Sequence, residues 1–165
     1  MTHAARGRRL AVACLAVASL SACGGRGVAR GAPLVIAPND SLEGIVRVVG
    51  VEAMPETVLA TDDGSPALRL VGPDALRRVA GLRVAVIGLR DNPSFFVWRF
   101  TVVAANGVAA SDGLLVARGD SLVLITERGT LAVRAPSPGL RAALRHRVWI
   151  SGPLDAPTVA YGIIE

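Results

Sequence analysis

The residues able to make bonds or to hold a metal are few in this sequence. It contains two cysteines, Cys14 and Cys23, and two histidines, His3 and His146. That supply is too small for a disulfide framework or for a site built from several Cys and His ligands. No nucleophile elbow, phosphate loop or dinucleotide fingerprint occurs in the chain. We therefore expect a protein that is not an enzyme and that has no cofactor and no metal ion.

His146 and the Asp–Gly segments have the sequence surroundings of structural residues and not those of catalytic or metal-binding residues. His146 stands alone between Arg145 and Arg147 at the start of a predicted strand, so we expect an exposed structural residue. Three segments combine Asp and Gly in the manner of turns: 62–64, 111–113 and 119–121. None has the further spaced carboxylates that a calcium or magnesium ion needs. An enzymatic function would require a pocket that brings Glu52 or Asp62 close to His146.

Aromatic side chains are concentrated in one segment. Phe96, Trp98 and Phe100 are spaced two residues apart, and alternation along a β-strand would place all three on one face. We expect this face either to fill the core or a contact between neighbouring units, or to form a groove for a hydrophobic ligand or partner.

The amino terminus has the layout of an export signal. Three arginines precede an apolar run over 10–22, which ends in Leu20, Ser21 and Ala22 and is followed by Cys23. These last four residues resemble the lipobox of bacterial lipoproteins. The resemblance implies that residues 1–22 are removed and that Cys23 carries acyl chains, which hold the protein on a bilayer.

Two alternatives to the lipoprotein interpretation remain. An ordinary signal peptide could be cut near Ala22 and leave Cys23 as a free thiol. A retained membrane span is the other, although a helix needs about 20 apolar residues to cross the hydrocarbon core and the run is shorter. In lipoprotein families an Asp after the lipidated cysteine marks inner-membrane retention. Gly24 stands there in this chain, so the resemblance implies an outer-membrane protein facing the periplasm.

The charge balance gives no reason to expect a nucleic-acid partner. The chain has 18 basic residues, all arginine, and 13 acidic ones. Removal of residues 1–22 would take three arginines and no acid. The mature chain is then close to neutral, and binding to phosphates requires a cluster of cations.

The remainder of the chain favours an all-β fold with two short helices. Residues 23–41 hold the lipidated cysteine and a flexible tether rich in Gly, Ala and Pro. Beyond them, short β-branched runs alternate with turn residues. The predicted strands lie near 44–53, 57–62, 66–71, 82–90, 96–104, 113–118, 121–126, 129–135, 146–152 and 158–164. The predicted helices cover 73–80 and 137–145, the second with Ser137 as N-cap and Pro138 at its first position.

The two halves of this pattern repeat each other. Gly44 matches Gly113 in spacing, and Arg83 matches Arg147, with an offset that falls along the chain from 69 to 64 residues. Each half reads as three strands, a short helix and two strands, an order that resembles the OB-fold. The resemblance implies two tandem five-stranded OB-like barrels over 42–105 and 112–165. A single β-sandwich built from all ten strands is the alternative.

These features together indicate a membrane-anchored exported lipoprotein. We expect it to act as a non-enzymatic binding or scaffolding module, held on the lipid bilayer through acylated Cys23 and serving another envelope protein as its partner. The alternative is a periplasmic small-ligand or ion-binding protein that uses the aromatic strand face or the loop around Met54, Pro55 and Glu56.

Overall fold

The computed structural model describes residues 39–158 and 160–165. The predicted signal segment, the predicted lipidation site Cys23 and residues 24–38 of the predicted tether lie outside the described residues. In the part of the chain that is described, no helix is long and apolar enough to span a membrane.

The described residues form ten strands and two short helices, so the predicted all-β fold class is confirmed. The elements are β1 (Asp40–Val51), β2 (Met54–Ala60), β3 (Leu68–Val71), α1 (Ala75–Arg78), β4 (Arg83–Asp91), β5 (Ser94–Ala105), β6 (Val108–Arg118), β7 (Ser121–Thr126), β8 (Gly129–Val133), α2 (Pro138–Ala142), β9 (Arg147–Ser151) and β10 (Ala160–Ile163). We call β1–β5 with α1 the first repeat and β6–β10 with α2 the second repeat.

The first five strands close into a ring. β1 pairs antiparallel with β2 and with β4, β2 pairs with β3, and β4 pairs with β5. The ring is completed by β3, which runs parallel to β5. The order of three strands, a helix and two strands along the chain is the one predicted for each half.

The second repeat uses the same pairings. β6 pairs with β7 and with β9, β7 pairs with β8, and β9 pairs with β10. The counterpart of the β3–β5 contact is reduced to a single parallel bridge between Ala135 and Pro157. The strands thus follow the tandem arrangement in one continuous sheet, and not the two separate sheets of a sandwich.

The two repeats are joined by a hairpin and not by a linker. Asn106 and Gly107 have φ angles of 51° and 78°, which suits a two-residue hairpin turn with positive φ at both central positions. Ala105 pairs with Val108 across this turn. The second repeat therefore begins inside the segment that separates the two predicted barrels.

The matched glycines of the two repeats occupy equivalent positions. A Cβ atom on Gly44 would lie 2.5 Å from the carbonyl oxygen of Ala60, and one on Gly113 would meet the carbonyl oxygen of Ile125. In each repeat the first strand approaches the second too closely for any side chain. This close approach explains why glycine recurs at that spacing.

Two clusters of buried side chains form the core. The first is built on Val46, Leu59, Phe95 and Phe100, and it also takes in Ile164 from the second repeat. The second cluster is built on the following residues: Leu115, Leu124, Leu140, Val148 and Ile150. Because Ile164 lies in the first cluster, the second repeat supplies part of the first repeat's core.

Both helices place one leucine in a core, Leu76 from α1 and Leu140 from α2. The predicted cap of α2 is confirmed, since the Ser137 hydroxyl accepts a hydrogen bond from the Leu140 amide at 3.2 Å. Asp74 is the N-cap of α1 but makes no side-chain cap hydrogen bond.

Candidate binding surface

A β-bulge in β5 decides which of its aromatic side chains are exposed. Val97 pairs with Gly88 of β4, and Arg99 pairs with the adjacent Ile87. Trp98 is the extra residue between them, and such a residue shifts the alternation of the strand. Gly88 permits this because a Cβ atom there would run into the carbonyl group of Phe96.

The expectation that Phe96, Trp98 and Phe100 share one face is therefore wrong. Phe96 is 38% exposed and Trp98 is 54% exposed, whereas Phe100 is 2% exposed and belongs to the first core cluster. The bulge places Phe100 on the inner side together with Phe95. Of the three aromatic residues that the spacing placed on one face, only Phe96 and Trp98 are exposed.

Phe96 and Trp98 lie within a small apolar area that we call the aromatic patch, consisting of Val71, Leu89, Phe96 and Trp98. Val71 and Leu89 are the strand partners of Phe96 on its two sides, and directly opposed residues share a face of the sheet. The indole nitrogen of Trp98 donates to the side-chain oxygen of Asn39 at 3.2 Å. Since the polar edge of the indole is satisfied, its apolar face remains available for contact.

Further along β5 the same outer face borders a groove of about 310 Å³, which we call the β5 groove. Its apolar part consists of Leu114 and Ile125, which lie opposite each other on β6 and β7 and are 41% and 45% exposed. Arg99 and Glu127 form an ion pair of 3.2 Å at the groove. The arrangement is an apolar floor bordered by polar groups, the usual composition of a binding site.

A buried charge pair forms the inner wall of the β5 groove. The Asp112 carboxylate accepts hydrogen bonds from Arg147 at 2.9 and 2.8 Å and from the Val102 amide at 2.8 Å. The Arg147 guanidinium lies 4.5 Å from the ring centre of Phe100 and donates to the Phe100 carbonyl. These contacts link β5, β6 and β9, so the pair has a clear structural use.

The prediction of a turn at 111–113 is wrong, because those residues lie within β6 and pair with β9. Asp, Gly and Ser favour turns in general. Here Gly113 allows β6 to approach β7 closely, and Asp112 forms the ion pair with Arg147. The turns predicted at 62–64 and 119–121 are confirmed.

The carboxylates of the turn after β2 are also used structurally. Arg83 donates two hydrogen bonds to Asp62, at 2.6 and 3.0 Å, and this contact holds the pKa of Asp62 below its ordinary value. The Thr61 hydroxyl lowers the pKa of Asp63 by donating to it at 2.6 Å.

His146 is exposed, and its Nδ1 lies 2.9 Å from the carbonyl oxygen of Glu165. Asp62, the carboxylate considered for an enzymatic pair, is bonded to Arg83. His146 and Asp62 therefore have different hydrogen-bond partners.

The loop around Met54, Pro55 and Glu56 borders a second, smaller cavity of about 200 Å³. The opposite wall is formed by residues 69–74, and Arg69 approaches Glu56 at 3.7 Å. Met54 itself is 74% exposed.

Over residues 39–158 and 160–165, no three His, Cys, Asp or Glu side chains are grouped as a metal site would require. Within the same ranges, every buried side-chain nitrogen and oxygen has a hydrogen-bond partner. Comparison of the chain with protein-family models, with curated proteins and with solved structures gives no match.

Proposed function

We propose that the chain is a lipid-anchored exported protein of the cell envelope whose two repeats act as a non-enzymatic binding module. The outer face of β5, made of the aromatic patch and the β5 groove, is its binding surface. The observation that carries the proposal is that this face exposes Phe96 and Trp98 and continues into the groove at Arg99 and Thr101.

The composition of this surface supports binding more than catalysis. Exposed aromatic residues next to apolar ones are typical of interaction sites, and Trp is enriched among residues that dominate binding energy. The charged groups at the groove are engaged with one another, Arg99 with Glu127 and Arg147 with Asp112. The first pair is exposed and contributes little to stability, whereas the contacts of the second link β5, β6 and β9.

The anchor is supported by the sequence. Fifteen residues lie between Cys23 and Asn39, and β1 starts at Asp40. An acylated Cys23 would keep the module close to the bilayer, and Gly24 favours the periplasmic face of an outer membrane. The partner we propose is another envelope protein that reaches the β5 groove.

Metabolic labelling with a fatty acid tests the anchor. We expect label on the wild-type protein and none on Cys23→Ser, because the thiol is the acceptor of the lipid. Equal label on both proteins would refute lipidation at Cys23.

Site-specific photo-crosslinking in cells tests the surface. The crosslinking amino acid replaces Ile125 at the groove or, as a control, Leu131 on the neighbouring strand β8; the native side chains are 45% and 40% exposed. We expect a discrete protein adduct from position 125 and none from position 131. Adducts of equal yield at both positions, or at neither, would refute the groove as the partner site.

The size of the β5 groove favours a second candidate function, a periplasmic binder of a small apolar ligand. Its volume of about 310 Å³ lies at the lower end of the range of about 300–1,000 Å³ for small-molecule sites. In that case Leu114→Asp should abolish ligand-induced thermal stabilisation, while adducts to a protein partner should be absent.

A further inference from the structure

We infer that the aromatic patch docks onto the surface of the bilayer that carries the chain, while the β5 groove stays open to a partner. The inference rests on the proposed lipid anchor and assigns an occupant to one part of the proposed binding surface. The occupant of the aromatic patch is the interfacial layer of the membrane, where headgroups meet acyl chains.

The position of the patch relative to the anchor is the first argument. Asn39 immediately precedes β1, and its side chain accepts the hydrogen bond of Trp98. The covalent link to Cys23 therefore joins the folded body directly beside the patch. A tether that pulls the body toward the bilayer brings this part of its surface there first.

The length of the tether is the second argument. A Gly-rich linker of the same length, 15 residues, would have a root-mean-square span of about 19–23 Å. Over such a distance a tethered surface experiences an effective concentration in the millimolar range. An apolar contact that would be too weak to hold a free protein on a membrane can then be occupied most of the time.

The chemistry of the patch is the third argument. Trp98 exposes an indole ring whose N–H is already bonded, and Phe96 and Val71 beside it are 38% and 37% exposed. Aromatic side chains with an apolar body and a satisfied polar edge are the ones that concentrate at membrane–water interfaces.

Charge around the patch indicates an apolar contact and not an electrostatic one. Arg69 and Arg99, on the two strands that carry Val71 and Trp98, are paired with Glu56 and Glu127. Arg90 follows Leu89 on β4 and is itself followed by an aspartate. We therefore expect docking without anionic lipid and without sensitivity to salt.

Fluorescence quenching by lipids tests the inference with the full lipidated chain. The chain has two tryptophans, so Trp149→Phe leaves Trp98 as the reporter and Trp98→Phe leaves half-buried Trp149 as the matched control. Both proteins are incorporated into phosphatidylcholine vesicles, with ordinary or with brominated acyl chains. We expect loss of Trp98 emission in the brominated vesicles and unchanged emission from Trp149.

The outcomes separate the anchor from the docking. If the protein floats with the vesicles but Trp98 emission is the same in both lipids, the docking inference is wrong and the anchor stands. If the protein does not float with vesicles, the anchor is wrong and the inference is overturned with it. Quenching that appears only when phosphatidylglycerol is added would overturn the apolar mechanism.

A second measurement covers the case in which Trp149→Phe fails to fold. A polarity-sensitive dye is attached to Phe96→Cys or, as a control, to Leu131→Cys, residues that are 38% and 40% exposed. We expect a blue shift of the dye at position 96 on vesicles and none at position 131. A blue shift at position 96 that grows with protein concentration in the absence of lipid would instead show a second copy of the chain on the patch, and would overturn the proposal.

Discussion

The substitution Asp112→Ala removes a buried carboxylate that joins β6 to β5 and β9. The Asp112 side chain is 2% exposed and its ion-pair partner Arg147 is 27% exposed. Without the carboxylate, the Val102 amide loses its acceptor inside the sheet, whereas Arg147 keeps its bond to the Phe100 carbonyl and partial access to water.

The expected cost follows from these contacts. Breaking a buried ion pair by removing one partner costs about 3–5 kcal/mol, and the orphaned amide alone accounts for about 1–3 kcal/mol. Because Arg147 is partly hydrated, we expect the lower end, about 3 kcal/mol. With a urea m-value of about 2 kcal/mol/M, the unfolding midpoint should fall by about 1.5 M.

Urea unfolding of a protein that comprises residues 23–165 with Cys23→Ser, followed by tryptophan fluorescence, measures this shift. The matched control is Glu43→Ala, since Glu43 occupies the equivalent position in the first repeat and contacts Arg83 at 3.5 Å with a side chain that is 53% exposed. An exposed pair contributes little, so its midpoint should barely move. Asp112→Asn should fall between the two, because the amide oxygen can still accept from Val102. Equal shifts for Asp112→Ala and Glu43→Ala would refute the argument from burial.

Three further outcomes are expected. Phe100→Ala should lower the free energy of unfolding by about 3–5 kcal/mol, whereas Trp98→Ala should change it by about 0.5 kcal/mol or less; similar losses in urea unfolding would contradict the placement of the bulge. Gly113→Ala should cost about 1–3 kcal/mol by overpacking against a carbonyl of β7, and a neutral result would contradict that close approach. NMR titration should give Asp62 a pKa below the ordinary value of about 3.9, and Arg83→Gln should raise it. Because the folded pKa is lowered, the stabilisation is present above the ordinary value and is lost as the pH falls through the lowered one; an unchanged pKa in Arg83→Gln would contradict the ion pair.

The positions of the strands could be predicted because most of them alternate and end at Gly, Pro, Asn or Asp. The repeat was visible through residues with a backbone role, such as Gly44 and Gly113, whose close approach to a neighbouring carbonyl excludes any side chain. The cap of α2 followed from Ser137 and Pro138, since capping depends on residues adjacent in the sequence.

Features that depend on distant residues could not be predicted in the same way. The bulge at Trp98 results from the register between β4 and β5, so nothing in the spacing of the aromatics indicated that Phe100 faces inward. Asp112 acquires its role from Val102 and Arg147, which are distant in the sequence or on another strand. The hairpin at 106–107 is different, because Asn-Gly is a strong local signal for a two-residue turn, although this turn was not among those predicted.

The burial of Ile164 in the first core cluster constrains the order in which this protein can mature. A chain that leaves the ribosome or a translocation channel amino terminus first presents β1–β5 long before residue 164 arrives. Until then the first repeat lacks one of its core side chains, so its final packing waits for residue 164. Completion of the first repeat's core is in this way coupled in time to the arrival of the second repeat.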